Sequence, residues 1–381
     1  MSMPRPEPGP PILVARPELP PLVAYTRRLE AVWESRYLSN GGPQLREFEA
    51  RLLPLLGAPQ LSVVSSGALA LELALAAAGA SGEVITTSLS FAASANAIVR
   101  AGARPRFVDI EPVRMTIDPQ AVEAAIGPDT SAILAVHVFG QACDVDALAD
   151  IAARHKLPLI YDAAHAFGLR IDGQPIAAWG DFNAFSLHAT KPFHAAEGGI
   201  VTARNAADKA RIDRLANHGL NGEASVDEAG TNAKMSELGA ALGLAMLDDI
   251  AARTAARAAI AERYRERLGA LPGLILPPLP PAAHQTNYSF FVIRIDAETF
   301  GISAEAVRDE LAALGIFTRR YFHPPLHHMP AFASATMPVL PVTERVTEQV
   351  LALPMYSSLS SGEVDRVCDA LLWLGNRHSA S

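Results

Sequence analysis

From Leu61 onward the chain alternates short apolar, β-rich runs with helical stretches, and that alternation narrows the possible folds more than any other feature. "LSVVSSG" is a run that stops in glycine, and "ALALELALAAAGA" behind it has helical composition. "GEVITTS", "RPRFVDI", "SAILAVHVFG" and "LPLIYDAA" repeat the strand pattern. Between them lie "FAASANAIVRAG", "AVEAAI" and "DVDALADIAARHK", the last expected to start behind an aspartate cap. Short strands of this kind, spaced by amphipathic helices, imply a largely parallel sheet covered on both faces. With 381 residues, half of them hydrophobic, the chain can bury that core and a second domain at roughly 100–200 residues per domain.

The flanks predict the rest of the layout. "MSMPRPEPGPPILVARPELPP" is a proline-rich arm, "LPPLVAYTRRLEAVWES" has helical spacing, and "LSNGGP" is a turn cluster. A long helical region is expected from about Ala233 to Leu268, followed by the proline-rich connector "LPGLILPPLPPAAH", which has the look of a boundary. "YSFFVIRI" as a strand and "SAEAVRDELAALG" as a helix predict a smaller α+β domain. The expected division is an arm over 1–24, a large domain over 25–250 and a small C-terminal domain over 251–381. No internal repeat is visible.

Charge and cysteine content remove several function classes. The net charge is −8, and the basic residues are scattered apart from Arg319 and Arg320, so the basic patch that nucleic acid requires is missing. Cys143 and Cys368 stand far apart with no CxxC or Cys/His spacing, so neither a disulfide scaffold nor a metal site is expected. The first residues lack the apolar run of a secretory signal, and no apolar segment reaches the roughly 20 residues needed to span a bilayer. The expectation is a soluble, cytoplasmic protein without a membrane partner.

Open α/β sheets bind ligands at the carboxyl ends of their strands, and four features fall there. Ser66, Gly67 and Ala68 mark a strand-to-helix turn, whose free amides favour an anion. Taken singly, such a turn is often only a turn. Asp162 closes an apolar strand in "LPLIYDAAH" and must be hydrated, capped or paired; a helix cap explains it equally well, and His165 reads first as a structural histidine. Lys191, in "SLHATKPFHAAEGG", is flanked by small and aromatic residues, poor company for a surface charge and a setting that lowers an amine's pKa. Ser186 offers a hydroxyl to an anion, and Gly198 and Gly199 would let backbone approach a ligand. Phe91, just after a strand, reads alone as core. Together these parts meet the needs of pyridoxal phosphate: an amine, an acid for the ring nitrogen, a phosphate cup and a flat apolar wall.

The block from Tyr161 to Gly199, together with "LSNGGP", "GEVITTSLSFAASANAI", "FVDIEP", "VHVFGQACDVDAL" and "GTNAKMSELGAALGL", resembles the DegT/DnrJ/EryC1/StrS sugar aminotransferases nearly end to end. The resemblance implies the α/β fold of aspartate aminotransferase (fold type I), with a mostly parallel sheet of seven strands. It makes Lys191 the residue that holds pyridoxal 5'-phosphate as an aldimine and Asp162 the partner of the ring nitrogen. Phe91 would stack on the ring and His165 would lie near its hydroxyl edge. Gly67, Ala68 and Ser186 would hold the phosphate, joined by Asn232 from a second subunit, which implies a homodimer with a shared site. Family members usually carry threonine where this chain has Ala68, so one hydroxyl contact is absent. The implied substrates are a nucleotide-linked keto-deoxy sugar, dTDP-linked by resemblance and aminated at C3 or C4, and glutamate as donor, in bacterial surface-polysaccharide or secondary-metabolite synthesis. Two alternatives remain. A dehydratase of the same fold would carry histidine in place of Lys191, and a non-catalytic regulatory protein would be expected to have lost the lysine or the acid. The C-terminal "RRYFHPPLHHMPAF" is expected near the substrate, since its aromatic, histidine and arginine residues could meet sugar and phosphates, while a proline-rich loop packing on the large domain explains any single one of them equally well.

Overall fold

The computed structural model describes residues 5–222, 225–333 and 337–378. In chain order the strands are β1 (Gln60–Val64), β2 (Glu83–Thr87), β3 (Arg104–Val108), β4 (Thr130–Val136) and β5 (Leu159–Asp162). A two-residue ribbon follows, β6 (Arg170–Ile171) with β7 (Gln174–Pro175), and then β8 (Phe182–Ser186) and β9 (Gly199–Ala203). A second ribbon pairs β10 (Leu220–Asn221) with β11 (Ser225–Val226), ahead of β12 (Leu274–Ile275), β13 (Phe291–Ile295) and β14 (Val350–Leu353). The helices of the first part are α1 (Leu22–Ser35), α2 (Pro43–Leu56), α3 (Gly67–Ala77), α4 (Ala92–Arg100), α5 (Pro119–Ala125), α6 (Val145–His155), α7 (Ala206–Ala216) and α8 (Glu237–Leu247). They are followed by α9 (Ile250–Leu268), α10 (Ala297–Phe300), α11 (Ala304–Ala313), α12 (Pro341–Gln349) and α13 (Ser361–His378).

The central sheet has seven strands in the order β1-β9-β8-β5-β4-β2-β3. Only β9 runs antiparallel to its neighbours, β1 and β8; the other pairs are parallel. The pleat divides each strand between two cores, because successive side chains point to opposite faces. On β4, Ile133 and Ala135 join the cluster that holds Phe48 and Leu52 of α2, Leu148 of α6 and Leu244 of α8. Ala132 and Leu134 join the opposite cluster, with Leu71 and Leu75 of α3, Ile98 of α4 and Ile212 of α7. This double burial is why the strands read as continuous apolar runs.

Helix starts follow local chemistry. Ser66 Oγ accepts from Leu69 N at 3.2 Å, and Asp144 Oδ1 accepts from Ala147 N at 3.1 Å, the aspartate cap expected for α6. The stretch read as one helical region from Ala233 is two helices. Ser236 caps the first, accepting from Gly239 N at 3.2 Å, and the chain breaks at Asp248 and Asp249, residues that favour caps over helix interiors.

A three-stranded antiparallel sheet, β12-β13-β14, shares a separate core with α9, α11 and α13. We refer to this body as the small domain. Ile12 of the proline-rich arm is 1% exposed within that core. The arm is fixed there by backbone bonds: Ile12 N donates to Gly315 O (2.9 Å), Phe317 N to Ile12 O (2.8 Å) and Met355 N to Val14 O (3.1 Å). Among the described residues, no helix is long and apolar enough to cross a membrane.

Candidate active site

β1, β8, β5, β4 and β2 point the same way, so their carboxyl ends collect the site residues along one edge. Asp162 ends β5 and Ser186 ends β8, while Ser66 and Gly67 follow β1 and Phe91 caps α4 after β2.

Asp162 is buried. Its Oδ2 accepts from Ser94 Oγ at 2.7 Å and its Oδ1 from Ala164 N at 3.1 Å. Burial pushes its pKa up; the Ser94 and Ala164 bonds and the Lys191 charge pull in the opposite direction. The carboxylate is therefore held in place by donors yet keeps affinity for a further proton-bearing partner.

Lys191 sits in the loop between β8 and β9. The base of the loop is pinned by Leu187 N donating to Gly198 O (2.8 Å) and Ala195 N to Leu187 O (3.0 Å), and Lys191 N closes a turn onto His188 O at 2.9 Å. Lys191 as a whole is half-buried, and its amine lies 5.9 Å from the Phe290 ring centroid. Burial lowers its pKa from 10.5 to about 8, and Asp162 opposes that shift. An amine with this pKa is partly neutral near pH 7 to 8, the form needed for attack on a carbonyl or for taking a proton.

His165 is buried, and burial first, then the Lys191 charge, holds its pKa well below the usual imidazole range. Its Nδ1 accepts from Phe139 N at 3.1 Å, which leaves the proton of the neutral ring on Nε2. Phe139, Phe290 and Phe322 surround the ring at centroid distances of 6.5, 4.7 and 6.2 Å. Phe322 in turn lies 6.2 Å from Phe91. Phe91, 63% exposed, is a wall of the site rather than core.

The turn after β1 explains three glycines. A Cβ on Gly67 would stand 2.8 Å from Ser186 Cβ, so glycine brings the first amides of α3 beside the Ser186 hydroxyl. A Cβ on Gly199 would stand 2.3 Å from Ser66 O, and one on Gly198 2.4 Å from Met235 Cε. These two glycines seat β9 against the turn and against Met235, so each is required by a close approach within the protein itself. The amides of Gly67 and Ala68 open α3 and have no carbonyl one turn earlier in the helix. Ala68 is exposed. Asn232 is exposed on a segment whose neighbour Ala233 accepts from Ser65 N at 2.7 Å, so its side chain starts beside the same turn.

The structure thus brings Asp162, His165, Lys191, Ser186, Gly67, Ala68 and Phe91 to one edge. It adds Ser94, Phe139 and Phe290, which no local pattern marks, and Phe322 from "RRYFHPPLHHMPAF", the C-terminal stretch expected near the substrate. Phe290 also comes from the C-terminal third, and nothing local in "YSFFVIRI" points to it. The donor set fits pyridoxal phosphate: a buried carboxylate, an amine of lowered pKa, an exposed aromatic face and helix-start amides beside a hydroxyl.

A family model described as the DegT/DnrJ/EryC1/StrS aminotransferase family matches residues 24–372. The chain belongs to that family. It is 37% identical over 362 residues to dTDP-4-amino-4,6-dideoxy-D-glucose transaminase of Shigella dysenteriae, covering 95% of this chain and 98% of the relative. The Escherichia coli protein of the same description is 37% identical over 365 residues, with 95% and 98% covered. Among solved structures, DesI in the presence of its TDP-sugar product superposes with a TM-score of 0.93 at 38% identity, over 98% of this chain and 95% of that one. DesV of S. venezuelae, in complex with a ketimine intermediate, gives 0.86 at 32% identity over 96% and 98%. The fold is the fold type I that the sequence implies.

Proposed function

We propose that this family member is a pyridoxal-phosphate-dependent aminotransferase that moves an amino group from glutamate to a dTDP-linked keto-deoxy sugar. The observation that carries the reading is that the buried carboxylate of Asp162, at the end of β5, and the Lys191 amine, in the loop after β8, meet at one carboxyl edge of the sheet, close enough for each charge to act on the other's proton affinity. Both curated relatives are named for a sugar aminated at its fourth carbon, and DesI was solved with a TDP-sugar. We carry the 4-keto position and the dTDP handle over from them.

Bound pyridoxal phosphate supplies an aldehyde for amines and a ring that accepts electrons. Lys191 would hold it covalently and, once freed by the donor amine, would act as the base that takes up and gives back the proton lost from the donor's Cα. Asp162 would keep the ring nitrogen protonated, the role its raised proton affinity suits. His165 presents an Nε2–H to the edge of the site, and Phe91 covers one face. Ser66, the amides of Gly67 and Ala68, and Ser186 form the anion cup, with Asn232 of a second subunit completing it in a homodimer. The work belongs in the cytoplasm, where nucleotide sugars are made, in bacterial surface-polysaccharide or secondary-metabolite synthesis.

The test is to incubate pure protein with glutamate and separate dTDP- and UDP-linked 3-keto and 4-keto 6-deoxy sugars, and identify products by NMR. Amination of dTDP-4-keto-6-deoxyglucose at C4 is expected. Turnover of glutamate with no aminated sugar from any member of the panel would remove the sugar assignment.

A further inference from the structure

One residue of the arm, Glu18, joins the lysine loop, α9 and the segment before α13. Glu18 Oε1 accepts from Ser357 Oγ and from Ser358 N, the latter at 2.9 Å, in the segment leading to α13. Its Oε2 faces Arg253 Nη1 at 3.9 Å and Arg257 Nη2 at 4.0 Å on α9. Its main-chain carbonyl accepts from His194 Nε2 at 2.7 Å. His194 stands three positions beyond Lys191, in the loop that carries the amine.

Both ends of this link are fixed. His194 is 1% exposed, and its Nδ1 accepts from Ala196 N at 3.3 Å, which places the ring proton on Nε2 and aims it at Glu18. Burial keeps the imidazole neutral by lowering its pKa. On the other side, Arg253 Nη2 donates to Leu19 O at 3.0 Å. Arg257 donates to Tyr288 O and Met355 O, each at 3.2 Å. Upstream, Ile12 and Val14 tie the arm to the small domain. A buried histidine needs some partner for its N–H. The partner here belongs to neither its own loop nor the sheet, but to the arm that rides on the small domain.

We propose that Glu18 and His194 are positioning residues for Lys191: through them the N-terminal arm latches the lysine loop to the small domain and sets where the amine stands. A displacement of the small domain then reaches Lys191 through the Glu18 contacts, the His194 bond to the Glu18 carbonyl and the three loop steps from His194 back to the lysine. The inference rests on Lys191 being the cofactor-bearing amine.

The test uses the full-length protein loaded with pyridoxal phosphate, with His194→Leu, His194→Gln, Glu18→Gln and the Glu18→Gln/His194→Leu double variant. The readouts are visible circular dichroism of the bound cofactor, which reports its orientation, and the single-turnover rate with glutamate alone; thermal melting checks the fold. A misplacement of about 1 Å can cost up to about a hundredfold in rate, so His194→Leu should lose roughly ten- to a hundredfold and alter the dichroism, with KM for glutamate within about twofold. His194→Gln, which keeps a donor, should recover most of both. The double variant should be no slower than the slower single, because both changes interrupt one chain of contacts, His194 at its bond to the Glu18 carbonyl and Glu18 at its side-chain anchor. Wild-type dichroism and rate in His194→Leu, or additive losses in the double variant, would overturn the proposal. If the leucine variant does not fold, Glu18→Ala, which removes the side-chain anchor of the arm, decides instead: wild-type dichroism and rate there overturn the proposal, and a loss in both supports it. Absence of covalent cofactor at Lys191 in the wild type would instead remove the functional reading on which this one stands.

Discussion

Ser94 donates its hydroxyl hydrogen to Asp162 Oδ2 across 2.7 Å, from the first turn of α4 to the last residue of β5. The bond lowers the pKa of a carboxyl that burial raises. A hydrogen bond to a charged group contributes about 1.5–3 kcal/mol. Ser94→Ala should therefore slow the half-reaction with glutamate about ten- to a hundredfold. Asp162→Asn, which cannot keep the ring nitrogen protonated, should lose about 3–5 kcal/mol of barrier lowering, the scale of losing one partner of a buried ion pair. In the cofactor-free protein the sign is different. A carboxyl whose folded pKa is raised contributes stability below its ordinary 3.8 and loses it as pH rises through the raised value, so Asp162→Asn should abolish that decline. Stopped-flow rates and melting curves from pH 4 upward check both. A variant near wild-type turnover would leave Asp162 as only a cap.

Lys191 carries the corresponding expectation for the amine. Its folded pKa of about 8 lies below the ordinary 10.5. Folded protein therefore holds fewer protons than unfolded between these values, and cofactor-free stability should rise with pH across that window and be lost as pH falls through 8. Uptake of pyridoxal phosphate should follow the neutral amine, with a midpoint near pH 8. Because Asp162 raises this pKa, Asp162→Asn should move the midpoint lower. Lys191→Ala should abolish borohydride fixation and cut turnover by at least about 10²–10⁴-fold, while cofactor is still held by the cup. A midpoint near 10.5 would contradict the buried amine.

Ala68 is exposed at the start of α3, so a larger side chain has room there. Ala68→Thr should add one hydroxyl contact to the cofactor phosphate and slow cofactor loss on dialysis by about ten- to a hundredfold, from about 1.5–3 kcal/mol for a bond to a charged group. The rate of the chemical step should change little. Equal retention in both proteins would mean that Ser66, Ser186 and the helix amides already satisfy the phosphate.

Gly199→Ala should disturb the cup from behind. The new methyl would fall 2.3 Å from Ser66 O, and its neighbour is backbone that cannot rotate away. Overpacking of this kind costs about 1–3 kcal/mol. A lower melting temperature is expected together with weaker cofactor binding, since the turn that gives way carries Ser66 and Gly67. Loss of stability with cofactor affinity unchanged would separate the strand contact from the cup.

Much of this site was legible because its chemistry sits where local sequence speaks. Asp162 ends an apolar run and Ser66–Gly67–Ala68 breaks a strand into a helix, so the edge of the sheet could be placed from residues alone. The amine was legible from its company, small and aromatic residues that no surface lysine needs. Phe322 was legible only as part of "RRYFHPPLHHMPAF", whose aromatic, histidine and arginine residues suit a substrate; Phe290 was not, because it reaches the site only through the way the C-terminal residues pack back onto the sheet. Ser94 was hidden for a simpler reason: a serine inside "FAASANAI" has no local signature, and its value comes from a carboxylate on another strand. Gly198 and Gly199 were noticed, but what they make room for is Ser66 and Met235, distant in sequence. The break at Asp248 and Asp249 was readable in principle, since two adjacent aspartates interrupt an otherwise helical pattern.

The docking of the arm has a consequence for how the molecule is made. Residues 12–18 leave the ribosome long before the groups that receive Ile12, Val14 and Glu18, at 315–317 and 355–358. Contacts so far apart along the chain close late, because the intervening loop must be ordered first. During translation the arm has nowhere to settle, and its prolines, which discourage helix and sheet alike, keep it extended and solvated while it waits. The arm is thus made early and put in place late, and the loop bearing Lys191 receives its hold on the small domain only once residues 315–358 have emerged.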